Sequence, residues 1–155
     1  MQTFLTYPDS FTAIAKSLDY KRLGKQRVET KQILLTNRKL DSYQQQYTYL
    51  SVPLNVGWRN HPAARMWRGH DGMLALYGAK MCKEWINRGY QDSLLPFFEE
   101  IVFKSVLTWP AWMTDPKMMD RIVDSHRRAL IHKYPEHYQP LFPSLTPKLD
   151  YYWPV

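Results

Sequence analysis

The stretch Lys16–Lys39, KSLDYKRLGKQRVETKQILLTNRK, decides how the rest of the chain is read. It holds eight cations, Lys16, Lys21, Arg22, Lys25, Arg27, Lys31, Arg38 and Lys39, against two carboxylates, Asp19 and Glu29. That balance is +6 of a net charge of +7 for the whole chain. Asp19 is a good N-cap residue, so a helix is predicted from there to about Asn37. Leu23, Gln26, Ile33, Leu34 and Leu35 do not make a clean apolar stripe, and Gly24 weakens the helix. A basic helix with one acid near its middle points to a bound anion and to a carboxylate with a task. The plainer reading is a solvated basic face whose Glu29 pairs with Lys25 four residues back, worth roughly 0.2–0.5 kcal/mol.

Outward from this helix the chain reads as further helices joined by irregular segments. Met1 to Tyr7 is short, apolar and partly β-branched, which suits an extended lead-in to Pro8. Asp9 or Ser10 can cap a short helix over FTAIAKSL. Residues 41–56 are polar, with three consecutive glutamines and several tyrosines, and predict a loop. Asn60 is an N-cap candidate and Pro62 suits a first turn. From there Ala63, Met66, Trp67, His70, Leu74, Tyr77, Met81 and Trp85 recur at steps of three and four, predicting one helix to Gly89. Gly69, Gly72 and Gly78 fall inside it and imply close approach of another backbone, from a helix or DNA. Asp92 or Ser93 starts LLPFFEEIVF. Asp115-Pro116 caps a last helix to about Lys133, and Pro135 ends it. Residues 136–155 are rich in proline and aromatics and are expected to wrap back over the helices. The prediction is a mainly α, compact single-domain helical bundle spanning residues 1–155, with an irregular aromatic- and Pro-rich C-terminal tail.

Composition sets the outer limits. A chain of 155 residues suffices for one domain with a real core, and 45% hydrophobic with 23% charged is ordinary for a folded protein. A sequence pI near 9.5 favours a polyanionic partner, with nucleic acid the commonest, though a ribosomal or membrane-surface protein also fits. The one cysteine, Cys82, excludes an intramolecular disulfide and suits a reducing compartment. No signal-peptide pattern or membrane-length apolar run is seen, so an intracellular, cytoplasmic protein is expected.

Several chemistries are absent from the sequence. It has no Gly-rich phosphate loop, no GxSxG elbow and no HExxH pair. His126 and His132 are six residues apart, which does not place them on one helix face as a metal pair. No metal and no cofactor is predicted. Each histidine taken singly reads as hydrogen-bonded or surface-exposed; His61, beside the expected cap, stands out as a site candidate.

Three runs in order carry a resemblance: LDYKRLGKQRVETKQIL (Leu18 to Leu34), GWRNHPAARMWRGH (Gly57 to His70) and YGAKMCKEWINRGYQD (Tyr77 to Asp92). Together with SHRRALIHKYPEHYQPLFP (Ser125 to Pro143), they resemble the pyrimidine-dimer DNA glycosylase family, closest to its bacterial and phage branch. The resemblance implies a compact helical DNA glycosylase with AP lyase activity, acting as a monomer on double-stranded DNA without a membrane. In that family the α-amine of the first residue attacks C1′ of the damaged nucleotide, a Schiff base forms, and β-elimination nicks the strand. Carried over, the amine falls on Met1 and the acid/base glutamate on Glu29. Gln2 is large, so the initiator methionine is expected to remain. An α-amine has a reference pKa of about 7.7–8.0, against about 10.4 for lysine, so it needs no metal to act as a nucleophile near neutral pH.

The DNA-contacting set that follows is Gln2, Lys21, Arg22, Lys25 and Arg27, then Arg59, His61, Arg65 and Arg68, then Arg127 and Arg128. Tyr138, Tyr151, Tyr152 and Trp153 are candidates to stack on a displaced base or simply to cover the core. Gln2, Arg22, Val28 and Gln32 depart from the family's pattern, where an arginine, a histidine and two further arginines stand. They bear on lesion reading more than on the chemistry: cyclobutane dimers come first, another altered pyrimidine next. The alternatives are a catalytically silent DNA-binding protein on the same scaffold and, more weakly, an RNA-binding one.

Overall fold

The computed structural model describes the backbone of residues 1–46 and 57–155, and the side chains of all of these but 39–46. The helices are α1 (Phe11–Ser17), α2 (Tyr20–Gln46), α3 (Pro62–Arg65), α4 (Asp71–Asn87), α5 (Leu95–Lys104), α6 (Ala111–Thr114), α7 (Pro116–Lys133) and α8 (Pro135–Tyr138). No strand occurs among the described residues. The helix starts follow local capping chemistry. Ser10 Oγ accepts from Ala13 N–H at 3.0 Å, and Asp115 Oδ1 accepts from Lys117 and Met118 N–H. Asp92 Oδ2 takes the N–H groups of Leu94 and Leu95 at 3.0 and 2.7 Å, starting α5.

Three expectations are corrected. The basic helix does not stop near Asn37: α2 continues to Gln46, so the first part of the expected loop over 41–56 is helical. Glutamine is a good helix former, and its side chains read as loop only when a clean apolar stripe is demanded. Residues 47–56 lie outside the described residues. The long helix expected from Asn60 to Gly89 is two helices. Gly69, at φ +82°, turns the chain between α3 and α4, while Gly89, at φ +92°, ends α4 as expected. The N-cap of α3 is His61, whose Nδ1 accepts from Ala63 N–H at 3.1 Å, rather than Asn60.

The helical glycines are a fourth case. Side chains, rather than another backbone, crowd them. A Cβ on Gly78 would lie 2.6 Å from the Phe98 ring, and one on Gly72 would lie 2.7 Å from Ser105 Cβ. Both residues therefore let α5 and the segment after it press against α4. Helix α4 is the centre of the fold, packed by α1, α2 and α5. Around it Phe11, Trp67, Tyr77 and Trp112 make an edge-to-face aromatic cluster.

The N-terminal segment is the least regular part of the core and the most informative. Gln2, Thr3, Phe4, Leu5 and Thr6 are all buried, yet they form neither helix nor strand. Their backbone groups are satisfied by side chains from elsewhere. Phe4 N–H donates to Gln26 Oε1 at 3.0 Å and Leu5 N–H to His126 Nδ1 at 2.9 Å. The carbonyls of Gln2, Phe4 and Thr6 accept from Gln26 Nε2, Tyr77 Oη and Arg127 Nε. Stranding any one of these buried groups would cost about 1–3 kcal/mol, so the thread has one register. The C-terminal tail closes against the thread, with the Tyr151 ring beside Phe4 and His126. Tyr152 N–H donates to Ser125 Oγ, and Tyr151, Tyr152 and Trp153 pack on the core.

Candidate functional site

Where the N-terminal thread meets the middle of α2, a cleft of about 380 Å³ opens. Met1, Gln2 and Phe4 line one side, and Lys21, Arg22, Lys25, Gln26 and Glu29 the other. Lys133, the last residue of α7, and Tyr151 of the tail complete it. The helical period explains the α2 wall: Arg22, Lys25, Gln26 and Glu29 recur at steps of three and four, so they share a face.

Glu29 is the only acid among the residues lining the cleft. Its Oε2 accepts from Gln2 N–H at 3.2 Å and from Gln26 Nε2 at 3.3 Å. Gln2 N is three covalent bonds from the α-amine of Met1. The hydrogen bond from Gln2 therefore ties the carboxylate to the peptide that carries that amine, and Met1 and Glu29 line the same cleft. Gln26, 1% exposed, spends both ends of its amide on this arrangement. Its Nε2 also donates to Gln2 O at 2.9 Å, and its Oε1 accepts from Phe4 N–H and, at 2.6 Å, from Tyr77 Oη. Burial, followed by the charge of Glu29, raises the Tyr77 phenol well above its ordinary range, so it stays a donor.

A second cleft of about 550 Å³ adjoins the first and shares Lys21, Arg22 and Lys133 with it. Asp19, Tyr20, Arg88, Tyr134 and His137 complete its lining. Arg22 is steered by Asp19, with a 3.2 Å ion pair. Burial alone would raise the Asp19 carboxyl; the hydrogen bonds from Tyr138 and Arg22 and the charge of Arg22 outweigh it and hold the group below its usual range. Tyr138, a candidate to stack on a base, is fully buried and donates its O–H to Asp19, so it belongs to the core.

The expected site residues separate into two groups. Met1, Gln2, Lys21, Arg22, Lys25 and Glu29 come together at the cleft. His61 stands close enough to feel both the Met1 amine and Glu29. Burial, then the positive amine, lowers its pKa, and Glu29 opposes them. Its ring lies edge-on to Trp58 and Trp153. Arg65 and Arg68 are exposed on the α3 side, and Arg68 donates to the carbonyl of Arg59.

The others are taken up by partners within the protein. Arg27 donates through Nε and Nη2 to Asp92, whose side chain is fully buried, and sits 4.8 Å over the Trp85 ring. Arg127 donates to Thr6 O at 2.8 Å and lies over Tyr7 and Phe142. Arg128 pairs with Asp124 at 2.9 Å and bonds Thr146. Sequence reasoning missed Gln26 and Lys133. Gln26 was legible only as three residues before Glu29 on the same face. Lys133 had no signal beyond its charge at a helix end.

Among the described residues no group of three or more His, Cys, Asp or Glu is placed to hold a metal ion, and no helix is long and apolar enough to cross a membrane. The family model for pyrimidine dimer DNA glycosylases matches residues 1–95, which carry the whole N-terminal thread, α2 and α4. No curated protein and no solved structure matches the chain. The matched span is more than half of the 155 residues, and the chain belongs to the pyrimidine dimer DNA glycosylase family.

Proposed function

From that membership and the cleft shared by Met1 and Glu29, we propose that the chain is a DNA glycosylase with AP lyase activity on damaged pyrimidines, cyclobutane dimers first. The single observation that carries the reading is the Gln2 N–H to Glu29 Oε2 hydrogen bond of 3.2 Å inside a cationic cleft. It supports the Met1 α-amine in the role of nucleophile and Glu29 in that of proton carrier.

The steps follow from those two groups. The unprotonated Met1 amine gives its lone pair to C1′ of the damaged nucleotide. The C1′–N bond breaks, and the base leaves with its electron pair and is protonated. The attached amine gives up one of its two protons; its lone pair then forms the C1′=N bond as the C1′–O4′ bond breaks and O4′ takes a proton, leaving a cationic imine that the Glu29 carboxylate offsets. Glu29 then takes a proton from C2′, and the C3′–O bond breaks with the phosphate as leaving group. Water hydrolyses the imine and frees the amine. Lys21, Lys25 and Lys133 at the rim, with Arg22 held by Asp19, neutralise the phosphates on either side.

The experiment is borohydride trapping on a duplex with one abasic site. The crosslink should map to the α-amine of the peptide covering residues 1–16, and extra residues ahead of Met1 should abolish it. A crosslink on Lys21, Lys25 or Lys133 overturns the amine assignment. A protein that binds the duplex and traps nothing is the silent binding module.

A further inference from the structure

We propose that Gln26 is a positioning residue for this chemistry: its buried amide fixes where the Met1 amine sits relative to Glu29. The inference rests on the amine–lyase reading above and adds to it the group that assembles the reacting pair.

One amide carries the hydrogen-bond bookkeeping. Gln26 Oε1 accepts two donors, Phe4 N–H at 3.0 Å and Tyr77 Oη at 2.6 Å. The Phe4 N–H can only donate and the Gln2 carbonyl on the opposite side can only accept, whereas the Tyr77 hydroxyl, with one proton shared between Phe4 O and Gln26, fits either orientation. The amide therefore cannot flip, and Nε2 must face the other way. There it meets two acceptors, Gln2 O at 2.9 Å and Glu29 Oε2 at 3.3 Å. One side chain thus grips the N-terminal thread at residues 2 and 4 and the carboxylate at 29. Glu29 closes the circuit by accepting Gln2 N–H at 3.2 Å.

Remove Gln26 and the peptide beside the α-amine keeps only the Gln2 N–H bond to Glu29, while the thread stays tied further on, at Thr3, Leu5 and Thr6. Small displacements of a reacting group are costly, up to about a hundredfold in rate for about 1 Å. Gln26 itself is 1% exposed and cannot contact the DNA backbone from that position. A role through Met1 and Glu29 is what remains for it in the reaction.

The same bookkeeping supplies a test that a merely space-filling residue would fail. Gln26→Glu keeps shape and keeps the acceptor facing Phe4 and Tyr77. It replaces the donor facing Gln2 O and Glu29 with an oxygen. At alkaline pH that oxygen is charged and opposed by an acceptor and a carboxylate; protonated, it carries an O–H that can bond Gln2 O. Burial and a neighbouring carboxylate both raise a glutamate's pKa, so recovery falls within an accessible pH range.

Single-turnover borohydride trapping on an abasic duplex is measured for both proteins at pH 8 and pH 5.5, with duplex binding by anisotropy alongside. The variant-to-wild-type trapping ratio should be about 0.1 or lower at pH 8 and rise at least about fivefold at pH 5.5. Duplex affinity should stay within about threefold, since the phosphate-facing cations are untouched. Tyr77→Phe, which takes away one of the two donors to Gln26 Oε1 while keeping the packing, should lower trapping several-fold at both pH values with binding kept.

Trapping within about twofold of wild type at pH 8, an equal deficit at both pH values for Gln26→Glu, or a parallel fall in binding and trapping overturns the positioning role alone. Absence of trapping by the wild-type protein overturns the amine reading and the positioning role together.

Discussion

At the scale of single residues the chemistry converges on Glu29. It sits among Lys21, Arg22, Lys25 and Lys133, and it is the acid held against the N-terminal thread. Glu29→Gln keeps an oxygen to accept Gln2 N–H and loses the proton carrier. Strand cleavage on an abasic duplex should fall by about 10²–10⁴-fold, the usual worth of a positioned acid/base group. Binding should stay equal or tighten, because a negative charge beside phosphate is gone. A gel assay of nicking with a parallel binding titration reads both; near wild-type nicking removes Glu29 from the mechanism. The residue was legible beforehand because it is the lone acid within a run of cations. Its partner Gln26 was not, because an uncharged side chain three residues away carries no mark of what it bonds. Cys82 is the contrasting case. Burial, with Asp92 beside it, pushes the thiol up to about 12, so it is a core group with no nucleophilic role.

At the scale of elements the decisive piece is the thread over residues 1–6, whose buried course no period or motif announced. Period-2 alternation signals strands that pair with strands, and this segment is satisfied by side chains from α2, α4 and α7 instead. Helix caps were legible because their chemistry is local: Ser10, Asp115 and Gly89 act within a few residues of themselves. The α3–α4 break was missed because the buried positions keep their spacing through the turn at Gly69. The thread's tie to α7 gives a pH prediction. His126 Nδ1 accepts from Leu5 N–H, so the neutral ring is the form that fits, and full burial lowers its pKa to about 3. An unfolded histidine titrates near 6.5, so between pH 6.5 and 3 the unfolded chain binds the extra proton. Stability is therefore present above pH 6.5 and lost as pH falls, by about 2 kcal/mol at pH 5. Thermal melts across pH 7 to 5 should show this decline. His126→Asn, whose amide oxygen can accept from Leu5 N–H, should be less stable at pH 7 and flatter with pH. Equal pH slopes in the two proteins would detach His126 from the acid response.

At the scale of the whole molecule the +7 charge is distributed between two uses that sequence counting merges. The total points to a polyanion partner, and the clustering on α2 brings Lys21, Arg22 and Lys25 to one cleft. Which cations are available was hidden, because the partners that claim them are far away in the chain. Asp92 lies 65 residues from Arg27, and Thr6 lies 121 from Arg127. Arg27 donates twice to Asp92 beneath Trp85, where the acid's pKa is lowered: burial alone would raise it, but the Leu95 N–H and Arg27 outweigh that effect. By contrast Lys21, Lys25 and Lys133 line the clefts from exposed positions. The two uses separate in one salt titration. Lys21→Ala and Lys133→Ala should each flatten the slope of log K against log salt by about one, the release of one phosphate counterion. Arg27→Ala should leave that slope as it is and instead lower stability by about 2–4 kcal/mol, because Asp92 is left buried without its cation. Duplex binding by anisotropy between low and moderate salt measures the first quantity, and denaturant midpoints the second. A flattened slope in Arg27→Ala with unchanged stability would return Arg27 to the DNA face and break its pairing with Asp92. Unchanged slopes in both lysine variants would move the DNA path off the two clefts altogether.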